Sequence, residues 1–444
     1  MTVGFETNIY SGLQYKSADE INNIQTELLI KHIEYTVTHS PFYEKLFHEN
    51  GINYQDIHSI EDLRLLPFTG KAHMTDKKNN FLAVSEKEVV DICLTSGTSG
   101  SEPTVISQTR SDLKRLAYNE EVAFQMAGIT EDDTLLICAA IDRCFMAGLA
   151  YFLGGVNLSS RVLRAGAGNA AQHWQLMKTV KTTVIIGVPS LMVKVAEYAV
   201  ETGEDPAKAG IKKLIAIGEP VRNKKLELIS VAKKLENYWG AEIYSTYASS
   251  ELATTFCECS ARQGGHLRPE LIVVEIVDEN SNPVESGVEG EVVVTPLGIT
   301  GMPLIRFKTG DVSFLINEAC ACGRKTSRLA PILGRKKQML KYKGTTIFPN
   351  SIMESLEGSS WFYGGYVEAK LNSDGTDRII LYVAINDSSV SIDWIRDEIR
   401  AKVRVVPEIV LASSKDIDDK VYQFGKKRKR TTFFDRRVSR KHAL

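Results

Sequence analysis

Three apolar runs constrain this chain most. Thr134 to Ala140, Thr182 to Ser190 and Lys213 to Pro220 are each nearly continuous stretches of aliphatic residues, and helical segments at 191–201 and 222–238 follow the last two. An unbroken apolar run describes a strand covered on both faces, and such strands alternating with helices describe a parallel α/β sheet. The pair Pro189-Ser190 opens the helix after the second run. Sheets of this kind bind ligands beyond the carboxyl ends of their strands. Gly218-Glu219-Pro220 and Tyr247-Ala248-Ser249-Ser250-Glu251 are predicted there.

A loop upstream offers what such a site would need. Leu94-Thr95-Ser96-Gly97-Thr98-Ser99-Gly100-Ser101-Glu102-Pro103-Thr104 holds two glycines and six hydroxyl side chains in eleven residues. Val89 to Leu94 reads as a short buried strand leading into it, and Thr109-Arg110-Ser111-Asp112 caps a helix beyond it. Glycines let the backbone N–H groups close on an anion and hydroxyls add donors, which is the chemistry of a triphosphate cradle. No Gly-Lys-Ser/Thr closes the loop, so it is not a Walker loop. Alone, a Gly/Ser/Thr loop is more often a polar surface turn, and the rest of the chain decides its meaning.

Residues 1 to about 65 read as helical, with Leu28, Leu29, Ile30, Ile33 and Val37 on one face and a break at Ser40-Pro41. His32, His39, His48 and His58 have no ligand spacing and read as surface or half-buried structural residues. From 268 to 333 the texture changes to antiparallel strands, Ile272 to Val277 and Gly290 to Thr295, forming a small β subdomain. Past Gly334-Arg335-Lys336-Lys337 comes a separable α+β unit, with a helix opened by Pro349, a strand at Ile379 to Ala384, a helix at Ile392 to Val403 and a basic tail.

Composition narrows the function. At 444 residues the chain has room for about three domains, and its net charge of −1 favours neither nucleic acid nor a membrane surface. No basic segment followed by an apolar run opens the chain, and no stretch is long enough to span a bilayer. Seven cysteines without a secretory signal argue for reduced thiols or metal ligands, so a cytoplasmic protein is expected.

Together the motifs resemble those of the adenylate-forming superfamily of acyl-CoA synthetases, adenylation domains and luciferases. Thr95 to Thr104 is similar to its phosphate loop, Tyr247 to Glu251 to its aromatic-Gly-x-Ser/Thr-Glu motif, and Phe307-Lys308-Thr309-Gly310-Asp311 to its Tyr-Arg-Thr-Gly-Asp motif. Gly334-Arg335 with Lys337 resembles its hinge, and Gly425-Lys426 its catalytic-lysine motif. Each motif is weak alone; five in order are not. Gly218-Glu219-Pro220-Val221, Ile305 to Thr309 and Gly334 to Pro349 place the likeness nearest the phenylacetate-CoA ligases. The loop has Glu102-Pro103-Thr104 where the superfamily usually has Pro-Lys, Ala248 replaces a glycine, Lys337 replaces the hinge acid of many relatives, and the run Lys426, Lys427, Arg428, Lys429 leaves the register of the catalytic lysine open by one residue.

The resemblance implies an α/β chain with a large adenylating domain, 1–335, containing mainly parallel sheets and the β subdomain, and a smaller mobile α+β domain, 336–444, turning about Lys337. It implies Mg-ATP bound by Thr95, Ser96, Gly97, Thr98, Ser99 and Gly100, with Gly218, Glu219, Pro220, Ala248, Ser249 and Ser250 around the nucleotide. Tyr247 would stack on adenine, Asp311 would accept the ribose hydroxyls and Arg335 would touch nucleotide or guide rotation. Lys426 and Glu251 are expected to be catalytic with Thr98, and Glu251 to hold Mg²⁺, which favours one or two carboxylates plus phosphate oxygens and water. Coenzyme A and a small carboxylic acid, aromatic or not, are the expected partners; a homodimer stays open.

A metal set lies between the motifs. Cys259-x6-His266 and Cys320-x-Cys322 offer three thiolates and an imidazole, a set that suits structural Zn²⁺, with Cys257 as the alternative first ligand. Some phenylacetate-CoA ligases resemble this arrangement and hold a zinc. Cys93, Cys138 and Cys144 sit in apolar runs and read as core residues. The resemblance implies that Ile141 to Phe152 lines the acyl site, with Phe145 and Met146 either against an aryl ring or in the core, while Asp142 and Arg143 are unusual for plain phenylacetate. The reading is an ATP-dependent acyl- or aryl-CoA ligase. Its rivals are an adenylating enzyme serving a carrier protein, a homologue that binds nucleotide without turnover, and a zinc protein that binds nucleic acid through its basic tail.

Overall fold

The computed structural model describes residues 10, 12–76, 78–95, 103–142, 144–342, 345–372, 377–403, 406–422 and 431–437. Ser96, Gly97, Thr98, Ser99 and Gly100 of the loop, Arg143, and Lys426 with its neighbours Lys427, Arg428 and Lys429 lie outside the described residues. The chain divides into two compact units. The first holds Met1–Leu228, Ala232–Thr309 and Ser313–Ile332; the second holds Ile229–Val231, Gly310–Val312 and Leu333–Leu444.

The first unit opens with helix α1 (Ala18–His39). Ser17 and Glu20 cap it reciprocally, and Leu29, Ile33 and Val37 turn inward. Pro41 starts α2 (Pro41–Glu49). Next come β1 (Thr69–Gly70), α3 (Lys71–Thr75), β2 (Val89–Leu94), β3 (Val105–Thr109) and α4 (Arg110–Met126). The alternating segment contains β4 (Thr134–Ile137), α5 (Met146–Asn157), β5 (Arg161–Arg164), α6 (Ala170–Val180), β6 (Val184–Gly187), α7 (Pro189–Glu201), β7 (Lys213–Ala216), α8 (Ser230–Trp239), β8 (Glu242–Ser249) and β9 (Thr254–Cys257). They form a sheet ordered β5-β4-β6-β7-β8-β9, parallel except for β9. Every residue of β4 and β6 is buried, as their unbroken apolar sequences require.

The β region contains β10 (Gly265–His266), β11 (Ile272–Val277), β12 (Gly290–Pro296), β13 (Phe307–Ser313), β14 (Leu315–Ile316) and β15 (Arg328–Leu329). β11 and β12 are antiparallel, with Val274 opposite Val294, while β1 runs parallel to β13 with Thr69 opposite Phe307. One core joins Leu29 and Ile33 of α1 to Ile272, Val292, Val294 and Phe307 of these strands.

In the second unit Gly310–Val312 pairs with β16 (Gly334–Arg335), Asp311 opposite Arg335. It continues with β17 (Leu340–Tyr342), β18 (Thr345–Ile347), α9 (Pro349–Leu356), β19 (Phe362–Leu371), β20 (Asp377–Ile385), α10 (Ile392–Val403), β21 (Glu408–Leu411), α11 (Ser414–Val421) and β22 (Phe433–Asp435). The sheet order is β21-β20-β19-β22. Alternation along β19 and β20 splits two cores: Val367, Leu381 and Val383 pack with Ile352, Ile395 and Ile399 of α9 and α10, and Tyr366 and Ala384 pack with Ile417 and Val421 of α11.

Four expectations need correction. β2 is not a buried strand: Val90 and Ile92 are half exposed, because among the described residues β2 pairs with β3 alone in a separate two-stranded sheet, and the loop at 95–104 connects those two strands. The helix expected from Arg222 starts at Ser230, because Arg222 is drawn into a buried ion pair with Glu258 (2.8 Å). Cys93 and Cys138 are core residues, but Cys144 is exposed, at φ 55° in the turn before α5. His32 is neither surface nor half-buried: its Nε2 lies 3.1 Å from the Leu304 carbonyl, and burial brings its pKa down to about 4.

Candidate active site

Residues before and after the hydroxyl-rich loop meet at its base. The Thr95 N–H donates to the Thr104 carbonyl (2.9 Å) and the Thr104 N–H to Thr95 Oγ1 (3.3 Å), so the loop is pinched shut where it leaves the hairpin. Lys71 reaches this point. Its Nζ donates to Thr95 Oγ1 (3.2 Å) and stands 3.9 Å from the Glu251 carboxylate. The pairing of β1 with β13 fixes where Lys71 begins, one residue beyond Gly70. The sequence reading missed Lys71; its signal is the Gly-Lys step after Phe68-Thr69, which becomes meaningful only once β1 is docked.

Glu251 is held by its own turn. Ser249 accepts the N–H groups of Leu252 and Ala253, both at 3.2 Å, and Ala253 takes a positive φ of 44°. Arg115 of α4 reaches in from the core, donating to the carbonyls of Ala253, Leu297 and Leu271 (each 2.6 Å) and to Thr254 Oγ1 (3.0 Å). A fully buried guanidinium with this many acceptors fixes the backbone after Glu251 without help from solvent. Tyr247 is half-buried and stacks on Phe256 at 5.9 Å between ring centres, while Ala248 and Ser249 sit in the ladder opposite Thr255 and Thr254. Ser250 precedes Glu251 in the turn.

At the end of β7, Gly218 and Pro220 are exposed and Gly218 has φ +66°, a conformation that suits a residue without Cβ. The carboxylate of Glu219 accepts from the Ser190 N–H (2.9 Å) and hydroxyl (2.8 Å) at the start of α7, so Glu219 anchors the turn to that helix. Of the residues expected around an acyl group, Phe145 is exposed, whereas Met146 is buried with Cys93, Ile106, Leu116 and Ala150. A Cβ at Gly148 would lie 2.2 Å from the Ala140 carbonyl, so only glycine lets α5 pack this close to the end of the β4 segment.

In the second unit Asp311 is nearly buried and pairs with Arg335, 3.3 Å from Nε to Oδ1, across the ladder that also sets them opposite each other. Lys337 lies in a short 3-10 turn, Lys336–Gln338.

The four expected zinc ligands converge in the first unit. One ligand atom each from Cys259, His266, Cys320 and Cys322 lies within 4.8 Å of all the others. Cys259 Sγ and Cys320 Sγ are 3.6 Å apart, and Cys322 Sγ is 3.3 Å from His266 Nε2. Tetrahedral zinc with ligand bonds of about 2.0–2.3 Å needs edges of this order, so the donor set fits the ion. His266 Nδ1 faces Thr326 (2.9 Å to Oγ1, 3.2 Å to the carbonyl), which sets Nδ1 as the protonated nitrogen and leaves Nε2 for a ligand bond. Burial, then the charges of Arg324 and Arg328, bring the His266 pKa down to about 4, favouring the neutral ring that ligation requires. Cys257 is not in the cluster; it points into the core beside Phe124 and Tyr244.

A family profile described as AMP-binding enzyme matches residues 19–301. The chain is 30% identical over 340 residues to a phenylacetate-coenzyme A ligase of Thermus thermophilus, covering 75% of this chain and 74% of that one. It is 28% identical to the phenylacetate-coenzyme A ligase of Aromatoleum evansii, covering 84% of each. The fold is similar to that of a 2-hydroxyisobutyryl-CoA ligase in the postadenylation state in complex with R3-HIB-AMP (TM-score 0.82, 22% identity, 99% of this chain and 95% of the other).

Proposed function

The chain belongs to the AMP-binding enzyme family, and from that premise we propose how its residues divide the work of an ATP-dependent carboxylic acid:CoA ligase. The reaction is AMP-forming. A carboxylate oxygen attacks the α-phosphorus of ATP and pyrophosphate leaves; the thiol of coenzyme A then attacks the acyl carbon and AMP leaves with the bonding electron pair.

The observation that carries this division is the meeting of Lys71, Thr95 and Glu251 at the base of the loop. Joining two anions requires charge neutralisation, and preorganised donors supply it. In this reading Lys71 and the donors of Thr95, Ser96, Gly97, Thr98, Ser99 and Gly100 bind the phosphates. Glu251 is the carboxylate that would hold Mg²⁺, which would supply further neutralisation of the phosphate oxygens. Tyr247, Ala248, Ser249, Ser250 and the exposed turn Gly218-Glu219-Pro220 flank the base. Asp311 takes the ribose hydroxyls and Arg335, its ion-pair partner, orients it. Lys426 meets the α-phosphate in the first step, and residues 336–444 turn about Lys337 for the second. Cys259, His266, Cys320 and Cys322 would hold a structural zinc that ties the segment after β9 to the loop between β14 and β15.

For the acid we propose a small aromatic carboxylate carrying a polar substituent. The curated relatives are phenylacetate-coenzyme A ligases, Phe145 offers an exposed ring, and Asp142 stands at the same turn. The test is pyrophosphate release from Mg-ATP with a panel of aromatic and short-chain acids, with and without coenzyme A. One acid should give a single turnover alone and steady turnover with coenzyme A. Steady turnover only with a carrier protein would replace the acceptor, and release with short-chain acids alone would replace the aromatic assignment.

A further inference from the structure

Arg437 lies two residues past the end of β22, and its guanidinium is fully engaged. Nε donates to Asp435 Oδ1 (2.9 Å); Nη2 donates to Asp435 Oδ2 (2.7 Å) and to the Lys337 carbonyl (3.1 Å). Nη1 donates to the Met339 carbonyl (3.0 Å) and to Asp377 (3.1 Å to Oδ2, 3.3 Å to Oδ1). A guanidinium carries five N–H donors in a planar fork, and each has an acceptor here. Two carboxylates more than balance the charge; the Asp377 side chain is only 9% exposed, so the Asp377 side of the fork is held away from solvent, while Asp435 closes the other side at the surface.

The acceptors come from three parts of the second unit. Asp377 opens β20 and Asp435 closes β22, opposite Ala369 of β19. Lys337 and Met339 belong to the turn that follows Gly334-Arg335. The chain entering β22 is itself tied down: Thr431 N–H donates to the Val421 carbonyl (3.0 Å) and Val367 N–H to the Thr432 carbonyl (2.8 Å). Arg437 therefore fastens the backbone from the carbonyl of Lys337 onward to the sheet β19-β20-β22, and leaves the dihedrals before that carbonyl outside its grip.

We propose that Arg437 is a positioning residue for the two-step reaction. It staples the hinge turn to the C-terminal sheet, so that rotation is confined to the backbone before the Lys337 carbonyl and the sheet moves with the pivot as one piece. This rests on the ligase reading above and on Lys337 as the hinge. Lysine cannot replace arginine here, because three donors on one nitrogen do not span two carboxylates and two carbonyls.

The test compares the full-length wild type with Arg437→Lys and Asp377→Asn. Hydrogen–deuterium exchange reads the turn, and rapid-quench kinetics reads adenylation and thioester formation separately, each with KM for ATP. In Arg437→Lys, exchange over residues 337–342 should rise about tenfold while β19 and β20 stay protected. Both half-reactions should slow by about 10- to 100-fold with KM for ATP unchanged. Asp377→Asn, which keeps the Asp435 pair, should repeat the pattern at smaller amplitude. Unchanged exchange in the turn overturns the staple. Raised exchange across the whole C-terminal sheet, or raised exchange in the turn with both rates intact, overturns the positioning role. If the wild type releases no pyrophosphate with any acid, the ligase reading falls and takes this role with it, a failure told apart from loss of the staple by the exchange data.

Discussion

The Lys71 ammonium stands 3.9 Å from the Glu251 carboxylate and donates to the Thr95 hydroxyl at 3.2 Å. Lys71 is one-third exposed, and an ion pair so placed adds little to stability. Its value is chemical: a cation beside the mouth of a donor-rich loop. Lys71→Ala should slow pyrophosphate release by about 10²–10³, the scale of one removed transition-state donor, with the melting temperature nearly unchanged. Adenylation at the wild-type rate would remove Lys71 from the phosphate site.

Metal content separates the cysteine cluster from its neighbour. Protein purified without added metal should carry zinc at about one equivalent. Cys320→Ser should lose the ion and melt at lower temperature, whereas Cys257→Ser should retain it, because Cys257 is packed in the core rather than in the cluster. No zinc in the wild type would leave the three thiols of the cluster free, and full zinc in Cys320→Ser would place the ion elsewhere.

What the sequence revealed was what local pattern and composition control. The runs that become β4, β6 and β7 are legible because strands covered on both faces need unbroken apolar residues. The reciprocal cap of Thr109 and Asp112 at α4 is legible because it closes within one turn. The zinc ligands could be chosen by residue type despite a C-x-C spacing tighter than usual, but the choice of Cys259 over Cys257 depended on which face of the chain each occupies after β9. Long-range register was not legible. Lys71 reaches its place only through the pairing of Thr69 with Phe307, His32 is buried by a carbonyl at Leu304, and β3 is hidden between the loop and a helix cap. The start of α8 was displaced by Arg222 seeking Glu258, a partner no local window contains.

Glu120 gives stability a pH dependence of unusual sign. It is buried on α4; desolvation raises its carboxyl pKa to about 7, partly offset by the Thr255 hydrogen bond, the Arg268 charge and Asn119. Between the unfolded value near 4.5 and about 7 the folded chain holds a proton that the unfolded chain has lost. Folding therefore loses stability as pH rises through that window, by up to roughly 3 kcal/mol, and the loss levels off above it. Glu120→Gln mimics the protonated group and should not show this slope. The quantity to measure is wild-type minus variant stability by urea unfolding from pH 4.5 to 7.5; a flat difference would mean that Glu120 ionises normally in the fold.

The basic tail offers the sharpest division between enzyme and binding protein. In the ligase reading one ammonium, that of Lys426, meets charge developing at the α-phosphate, and it acts in the first half-reaction only, because the resemblance implies that the domain turns before the thiol attacks. Lys426→Ala should cripple adenylation by about 10²–10³ and largely spare thioester formation from a pre-made acyl-adenylate. Lys427→Ala and Lys429→Ala should do much less. A nucleic-acid arm behaves otherwise, since each lysine neutralises a phosphate independently and every substitution lowers the salt slope alike. Measuring both half-reactions across the three variants distinguishes the cases. A selective loss at Lys427 alone would keep the chemistry and move the register by one residue, and equal losses along the tail would rule out a single catalytic lysine there.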